Sequence, residues 1–306
     1  MLEIFFIVLP IFIVLFLGNI LRRMKLMDDT FIKSSNKLIF NITLPALLFY
    51  KISGASLETL FDWRLVVIIF VSVFLIFVLS FVLAKALRFP NDITGSFMMN
   101  NFRGNYANMG LPVCYYVFGN EGLLYASVLM AFIVPYVSML AIISLSICSD
   151  EKKHILPMLK TSLLNPLAIA CIAGLAYSAI GIPMPEFIIK SFGIVSDITL
   201  PLALFCVGAT ITVAAMKNDL FVSLLSSAVK MIGVPAAAYA MIKIWGIPMD
   251  TGAKTLVILL SAPSGTVNVV FASAMGGNVR LTASTIVTTT TISILTFIMW
   301  LTIVGV

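Results

Sequence analysis

The 306-residue sequence predicts an all-α integral membrane protein. Ten transmembrane helices form two inverted five-helix repeats, with broken, crossing helices at positions four and nine. Three observations carry this. Apolar residues make up 61% of the chain and charged residues 10%, with a mean hydropathy of +1.12; soluble domains run near 45–50% and about 25%. Apolar runs long enough to cross a bilayer, roughly 17–25 residues, recur from end to end. Finally, Asn41-Ile42-Thr43-Leu44-Pro45-Ala46-Leu47-Leu48-Phe49 returns as Asp197-Ile198-Thr199-Leu200-Pro201-Leu202-Ala203-Leu204-Phe205, and Phe118-Gly119-Asn120 is echoed by Gly276-Gly277-Asn278 at nearly the same offset.

The spans are expected at about residues 3–21, 37–52, 65–84, 95–118, 123–147, 161–180, 192–214, 221–243, 255–275 and 282–305. Five fall in each half, 1–152 and 153–306, so the second copy enters from the opposite side of the membrane. Loops after odd spans hold Arg22, Arg23, Lys25, Lys33, Lys37, Lys85, Arg88, Lys152, Lys153, Lys160, Lys217 and Arg280. Loops after even spans hold only Lys51, Arg64, Lys190, Lys243 and Lys254. This bias places the odd loops in the cytoplasm and both termini outside the cell membrane. The net charge of +6 is thus a topology signal. A nucleic-acid partner would need basic residues gathered on one soluble face. The basic cluster Arg22-Arg23-Met24-Lys25 follows the first apolar run, the reverse of a secretory signal, so the first span is read as retained.

Cys114, Cys148, Cys171 and Cys206 lie in or beside spans without paired spacing, which argues against a disulfide framework or a metal site. His154 is the single histidine and sits in a charged loop. No HExxH, no paired intramembrane Asp and no phosphate-binding GxxxxGK[ST] loop is present, so neither an enzyme nor an ATP-driven pump is expected. A sensor should carry a soluble domain, and no loop is long enough for one.

Span four carries the oddest stretch, Asn100-Asn101-Phe102-Arg103-Gly104-Asn105-Tyr106-Ala107-Asn108-Met109-Gly110-Leu111-Pro112. An Arg at the centre of a spanning helix costs about 2.5–3.5 kcal/mol on insertion scales, and unbonded Asn adds to the cost. Such a segment should face protein or a wet cavity. Pro112 lacks an N–H and clashes one turn back, freeing carbonyls near Asn108; Gly104 and Gly110 permit unwinding. Span nine holds the counterpart, Ser261-Ala262-Pro263-Ser264-Gly265-Thr266-Val267-Asn268, with Pro263 and Gly265 as a breaker pair. Paired breaks would present opposing half-helix N-termini, a ready site for an anion. Asn105, Asn108, Ser264 and Asn268 are the candidate substrate ligands, with Arg103 adding a fork suited to a carboxylate. Arg103 has a second reading, a helix-end side chain that reaches the interface.

Other motifs admit two roles each. Pro45 and Pro201 of the repeated motif either kink helices for packing or support the site. Asn41 and Asp197 precede them, and Asp197 is a candidate for cation or proton coupling. Lys230, among Ser223, Ser226 and Ser227, either binds an anion, pairs with a carboxylate or stabilises the fold. The hydroxyl run from Thr282 to Ser293 is read as helix-packing polarity.

Three sets of marks, in this order, resemble the auxin efflux carrier family of plant PIN-type exporters and bacterial malonate-transporter-like permeases. They are Asn41-x-x-Leu44-Pro45; Asn105-x-x-x-x-Gly110-Leu111-Pro112 followed by Phe118-Gly119; and Ala262-Pro263 with Asn268 and Ala272. The resemblance covers the whole chain. It implies a scaffold of spans 1, 2, 6 and 7 and a mobile domain of spans 3–5 and 8–10 that moves organic anions by an elevator-like displacement. It is compatible with a homodimer. Arg103 lies outside the motif shared with the plant proteins. Asn268 stands where they tend to have proline, so a milder second break is expected. The function expected is secondary transport of small carboxylates, with lipid as the surrounding partner and no cofactor. A sodium or proton coupling ion is left open. The alternative is a sodium- or proton-coupled symporter or antiporter of related ten-span shape; the lack of acidic residues at the breaks argues against a pure cation exchanger, but not against ion coupling through Asn, Ser and Thr oxygens.

Overall fold

In the computed structural model, residues 2–55, 61–148, 165–211 and 219–306 are described. They form helices α1 (Leu2–Arg23), α2 (Asp29–Leu38), α3 (Leu44–Ser53), α4 (Trp63–Ala86), α5 (Asn91–Phe102), α6 (Leu111–Ile147) and α7 (Pro166–Ile180). They continue with α8 (Glu186–Asp197), α9 (Thr199–Thr210), α10 (Leu220–Ala228), α11 (Val234–Ile244), α12 (Thr251–Leu260), α13 (Asn268–Met275) and α14 (Val279–Ile303). No strand occurs among the described residues; an isolated antiparallel bridge joins Gly104 to Ser264. Lys152, Lys153, His154, Lys160, Lys217 and the boundary at 152/153 lie outside the described residues.

Among the described residues, six helical stretches are long and apolar enough to cross a bilayer: Glu3–Arg23, Trp63–Ala86, Tyr106–Ile147, Glu186–Thr210, Leu220–Ile244 and Val279–Ile303. Pro166–Ile180 and Thr251–Leu260 are shorter apolar helices. The expected spans two, four and nine are not single uninterrupted helices, and proline is the physical reason. Three five-residue π-helical turns occur, Ile39–Thr43, Tyr106–Gly110 and Val229–Gly233, and each runs straight into a helix with proline at its second position: Pro45, Pro112 and Pro235. A proline inside a helix clashes with the carbonyl one turn back and cannot donate to it; the wider π turn relieves the clash. At Pro235 the carbonyl left without its donor is that of Met231, and the Trp300 indole N–H takes it at 2.8 Å. In the second copy of the repeated motif α8 passes into α9 through Ile198, which keeps helical dihedrals, and Pro201 lies in the first turns of α9.

Helix starts follow ordinary capping chemistry. Asp28, Asp62, Asn165, Asp250 and Asn278 each hold an extended backbone and accept a hydrogen bond from an N–H two or three residues on. Gly119 turns the chain sharply inside α6, with φ 66° and ψ −152°, a region open to glycine alone. The repeat echo Phe118-Gly119-Asn120 therefore marks a corner. Its counterpart also turns, with Gly276 at φ 73° closing α13.

Packing sorts the helices into two groups. α1 lies along α9, and α3 lies along α7 and α8. α4 packs on α5 and α11, α10 on α14, and α12 on α6. Two contacts in the first group repeat each other. A Cβ on Gly18 would run into the Phe205 carbonyl of α9, and one on Gly174 would meet the Phe49 carbonyl of α3 at 3.4 Å. Gly18 and Gly174 stand at the same spacing as Phe49 and Phe205, the spacing of the duplicated motif. The hydroxyls of α14 mostly bond back to their own helix, as Thr288 does to Ser284 and Thr290 to Ile286, and Ser223 donates across to Ser284 at 2.9 Å. That is the packing polarity expected of this run.

Gly208 allows the closest of these approaches, since a Cβ there would overlap the Leu15 carbonyl. Gly208→Val should force α1 from α9 and cost about 1–3 kcal/mol, read as a lower melting temperature in detergent. Gly193→Ala, in α8 with open space around it, should leave the melting temperature unchanged or raise it.

Candidate functional site

The site begins where two helices stop. α5 ends at Phe102, and Arg103 turns extended with φ −89° and ψ 95°. The chain passes through Gly104 and Asn105 before helix resumes at Tyr106. α12 ends at Leu260, and Ser261 to Val267 stay non-helical before α13 opens at Asn268. With a rise of about 1.5 Å per residue, the 12 residues of α5 and the 10 of α12 reach about half of the ~30 Å hydrocarbon core. Both breaks therefore fall near the middle of the bilayer. The second is the longer, a correction to the expectation that Asn268 in place of proline would soften it. Pro263 and Gly265 break the helix before Asn268 is reached, and Asn268 starts the next one.

Broken backbone at this depth must find partners within the protein. The two breaks supply each other. The Asn105 N–H donates to the Pro263 carbonyl at 2.6 Å, and the Gly265 N–H donates to the Arg103 carbonyl at 3.0 Å. Gly265 lets the two segments come this close, since a Cβ on it would sit 3.1 Å from the Gly104 carbonyl oxygen.

Side chains finish the lattice. The Ser264 hydroxyl donates to the Asn100 carbonyl at 2.8 Å, and its N–H donates to the Thr289 hydroxyl at 3.1 Å. The Asn268 amide donates to the Arg103 carbonyl and to the Asn100 side-chain oxygen, both at 3.1 Å. Arg103 returns the contact, Nη1 to Asn268 Oδ1 at 2.7 Å, and its guanidinium lies 4.3 Å from the Phe271 ring centroid. Deeper in, Asn101 donates to the Ser80 hydroxyl at 2.9 Å and accepts from Ser226. The Tyr106 hydroxyl takes the Phe102 carbonyl at 2.7 Å, and Lys230 Nζ takes the Leu260 carbonyl at 2.7 Å.

A cavity of about 420 Å³ abuts this lattice, within the size range of small-molecule sites. Arg103, Asn105, Asn108 and Gly265 line it from the breaks, and Lys33 and Asn36 line it from α2. Two buried donors among these, Arg103 Nε and Asn105 Nδ2, have no protein partner. Neither helix that resumes after a break has a side-chain cap; at α13 the Asn268, Val270 and Phe271 N–H groups bond the Gly265 and Val267 carbonyls, so the first-turn N–H groups left for a ligand lie at the Tyr106 start.

The structure thus separates the residues that the sequence grouped. Arg103, Asn105, Asn108 and Gly265 face the cavity. Ser264, Asn268 and Pro263 are fully buried behind it and hold backbone in place. Gly110 and Pro112 are buried at the start of α6. Asn41 is exposed and bonds the Lys37 carbonyl, and Asp197 is exposed on α8. Pro45 and Pro201 sit in the first turns of α3 and α9, and Lys230 lies off the cavity. Lys33 and Asn36 were not singled out as site residues. Their signal is a spacing of three on a polar helix; the charge pattern uses Lys33 only as a marker of orientation.

The family profile described as membrane transport protein matches residues 3–301. An uncharacterized transporter of Methanocaldococcus jannaschii is 26% identical over 307 residues, with 96% of each chain covered. With a match across nearly its whole length, on top of the motifs at the paired breaks, the chain belongs to the membrane transport protein family, that of the auxin efflux carriers.

Proposed function

We propose that this membrane transporter carries small organic anions, carboxylates in particular, by secondary transport with the substrate held at the paired helix breaks. The observation that carries the reading is the pair of unpartnered donors, Arg103 Nε and Asn105 Nδ2, on one cavity wall. A guanidinium fork and an amide beside the uncapped helix start at Tyr106 match the acceptor-only chemistry of a carboxylate. Lys33 at the same cavity adds a second positive charge, while among the described residues no acidic side chain lines it. That absence argues against a cation as cargo.

The architecture proposed is ten crossings in two inverted halves, 1–152 and 153–306. Its support is the repeated Gly18–Phe205 and Gly174–Phe49 approach and the matched breaks. The scaffold comprises α1–α3 and α7–α9, and the moving body comprises α4–α6 and α10–α14. The grouping of helix contacts favours this division, and an elevator-like displacement of the second body would carry the cavity across. With the cytoplasm on the side of Arg22 and Lys33, and the termini outside, the cavity opens inward.

In proteoliposomes, Asn105→Ala should lower carboxylate uptake by about 10- to 100-fold, the cost of a lost hydrogen bond to a charged group, with the melting temperature of the empty protein unchanged. Asn268→Ala should lower both uptake and melting temperature, because it removes the amide that holds the Arg103 carbonyl. Equal uptake in wild type and Asn105→Ala would remove the assignment. A thermal-shift screen against mono- and dicarboxylates names the substrate class, since a ligand of the folded state stabilises it by RT ln(1 + [L]/Kd). A shift with inorganic cations alone would refute the anion reading.

A further inference from the structure

The anion site leaves one buried charge without a task. Lys230 is 0% exposed and does not line the cavity. The π turn Val229–Gly233 places it beneath the paired breaks. Its Nζ donates to the carbonyl of Leu260, the last residue of α12, at 2.7 Å. Nζ also lies 5.4 Å from the Tyr106 ring centroid, and a Cβ on Gly104 would come within 3.0 Å of its Cε. Among the described residues no carboxylate pairs with it.

What faces the ammonium is the end of a helix. A helix C-terminus carries about half an elementary negative charge, concentrated on carbonyls that lack donors. In membrane transporters with interrupted helices, such ends coordinate the coupling cation. The two C-termini here are served differently: α5 receives the neutral Tyr106 hydroxyl at Phe102, and α12 receives the ammonium of Lys230. A lysine delivers the charge of a monovalent cation and three donors on a tether, and the aromatic face of Tyr106 adds a further cation-compatible wall.

We infer that Lys230 is a built-in cation that fills the place at the α12 C-terminus where a free monovalent cation would otherwise bind, so that the paired breaks hold together without sodium. The consequence for transport rests on the anion-carrier reading above; the consequence for ion binding does not.

The test therefore reads ion binding and transport separately. Purified wild type, Lys230→Ala and Lys230→Ser are melted in choline, sodium and methylammonium chloride at equal ionic strength. The wild-type melting temperature should be the same in all three. Lys230→Ala should melt lower in choline and recover part of the loss in sodium or methylammonium, which enter the vacated space. If the alanine variant is not recovered as a monodisperse protein, Lys230→Ser, which vacates the same space but leaves a polar side chain there, carries the same comparison. In proteoliposomes, wild-type uptake should be equal with and without sodium, and the variants should regain uptake only with the added cation. Sodium stabilisation or sodium dependence of the wild type overturns the inference. So does a folded variant that matches wild type in choline, or one that no cation restores. Wild type that ignores cations but carries no carboxylate would reject the transport reading and leave the ion result standing.

Discussion

The structure turns on one constraint: backbone N–H and C=O groups released in the middle of a bilayer have no water to bond. Two helices stop there, and each would strand several polar groups. The solution is reciprocal. Asn105 and Gly265 donate across to Pro263 and Arg103, so each break is the partner of the other. The remaining polar atoms are drawn in around that bridge, with Ser264, Asn268 and Asn100 tying it to α5 and Thr289 tying it to α14. Removing either break would leave the other unsatisfied, which explains why both halves of the chain interrupt a helix in matching places.

A site follows from this arrangement with little further machinery. The bridge consumes the inward-facing groups and leaves Arg103, Asn105 and Asn108 on the cavity side. It also leaves the helix start at Tyr106 without a side-chain cap beside them. Rigid support comes from behind, where buried Asn101, Ser80 and Ser226 form their own bonded set. The ligand-facing groups are therefore positioned before any ligand arrives, and binding need not order them.

Much of this was legible in the residues. Proline, glycine and asparagine crowded into an apolar run cannot be explained by lipid-facing helix, and the two such runs sit at corresponding places in the halves. The duplicated Ile-Thr-Leu-Pro motif marked the repeat: Pro45 follows a π turn, Pro201 lies in the first turns of α9, and Leu44 of the first copy lines the cavity. Other features were hidden because they depend on which chain segments meet. The sequence offered Ser264 and Asn268 as candidate ligands with no indication that both are sealed against α5. The donation of Lys230 to Leu260 joins two helices that no local pattern connects. Lys33 looked like a topology marker because its approach to the cavity is set by tertiary packing of α2. The length of the second break was also misjudged from a single residue, since Pro263 and Gly265 act upstream of Asn268.

The most direct test of the central claim is thiol accessibility at the cavity wall. The four native cysteines are buried, so a single Asn108→Cys substitution reports with low background. A membrane-impermeant maleimide applied from the cytoplasmic face should label it, and saturating transported carboxylate should slow that labelling. Labelling that no carboxylate slows, or none from either face, would contradict a substrate site at the paired breaks.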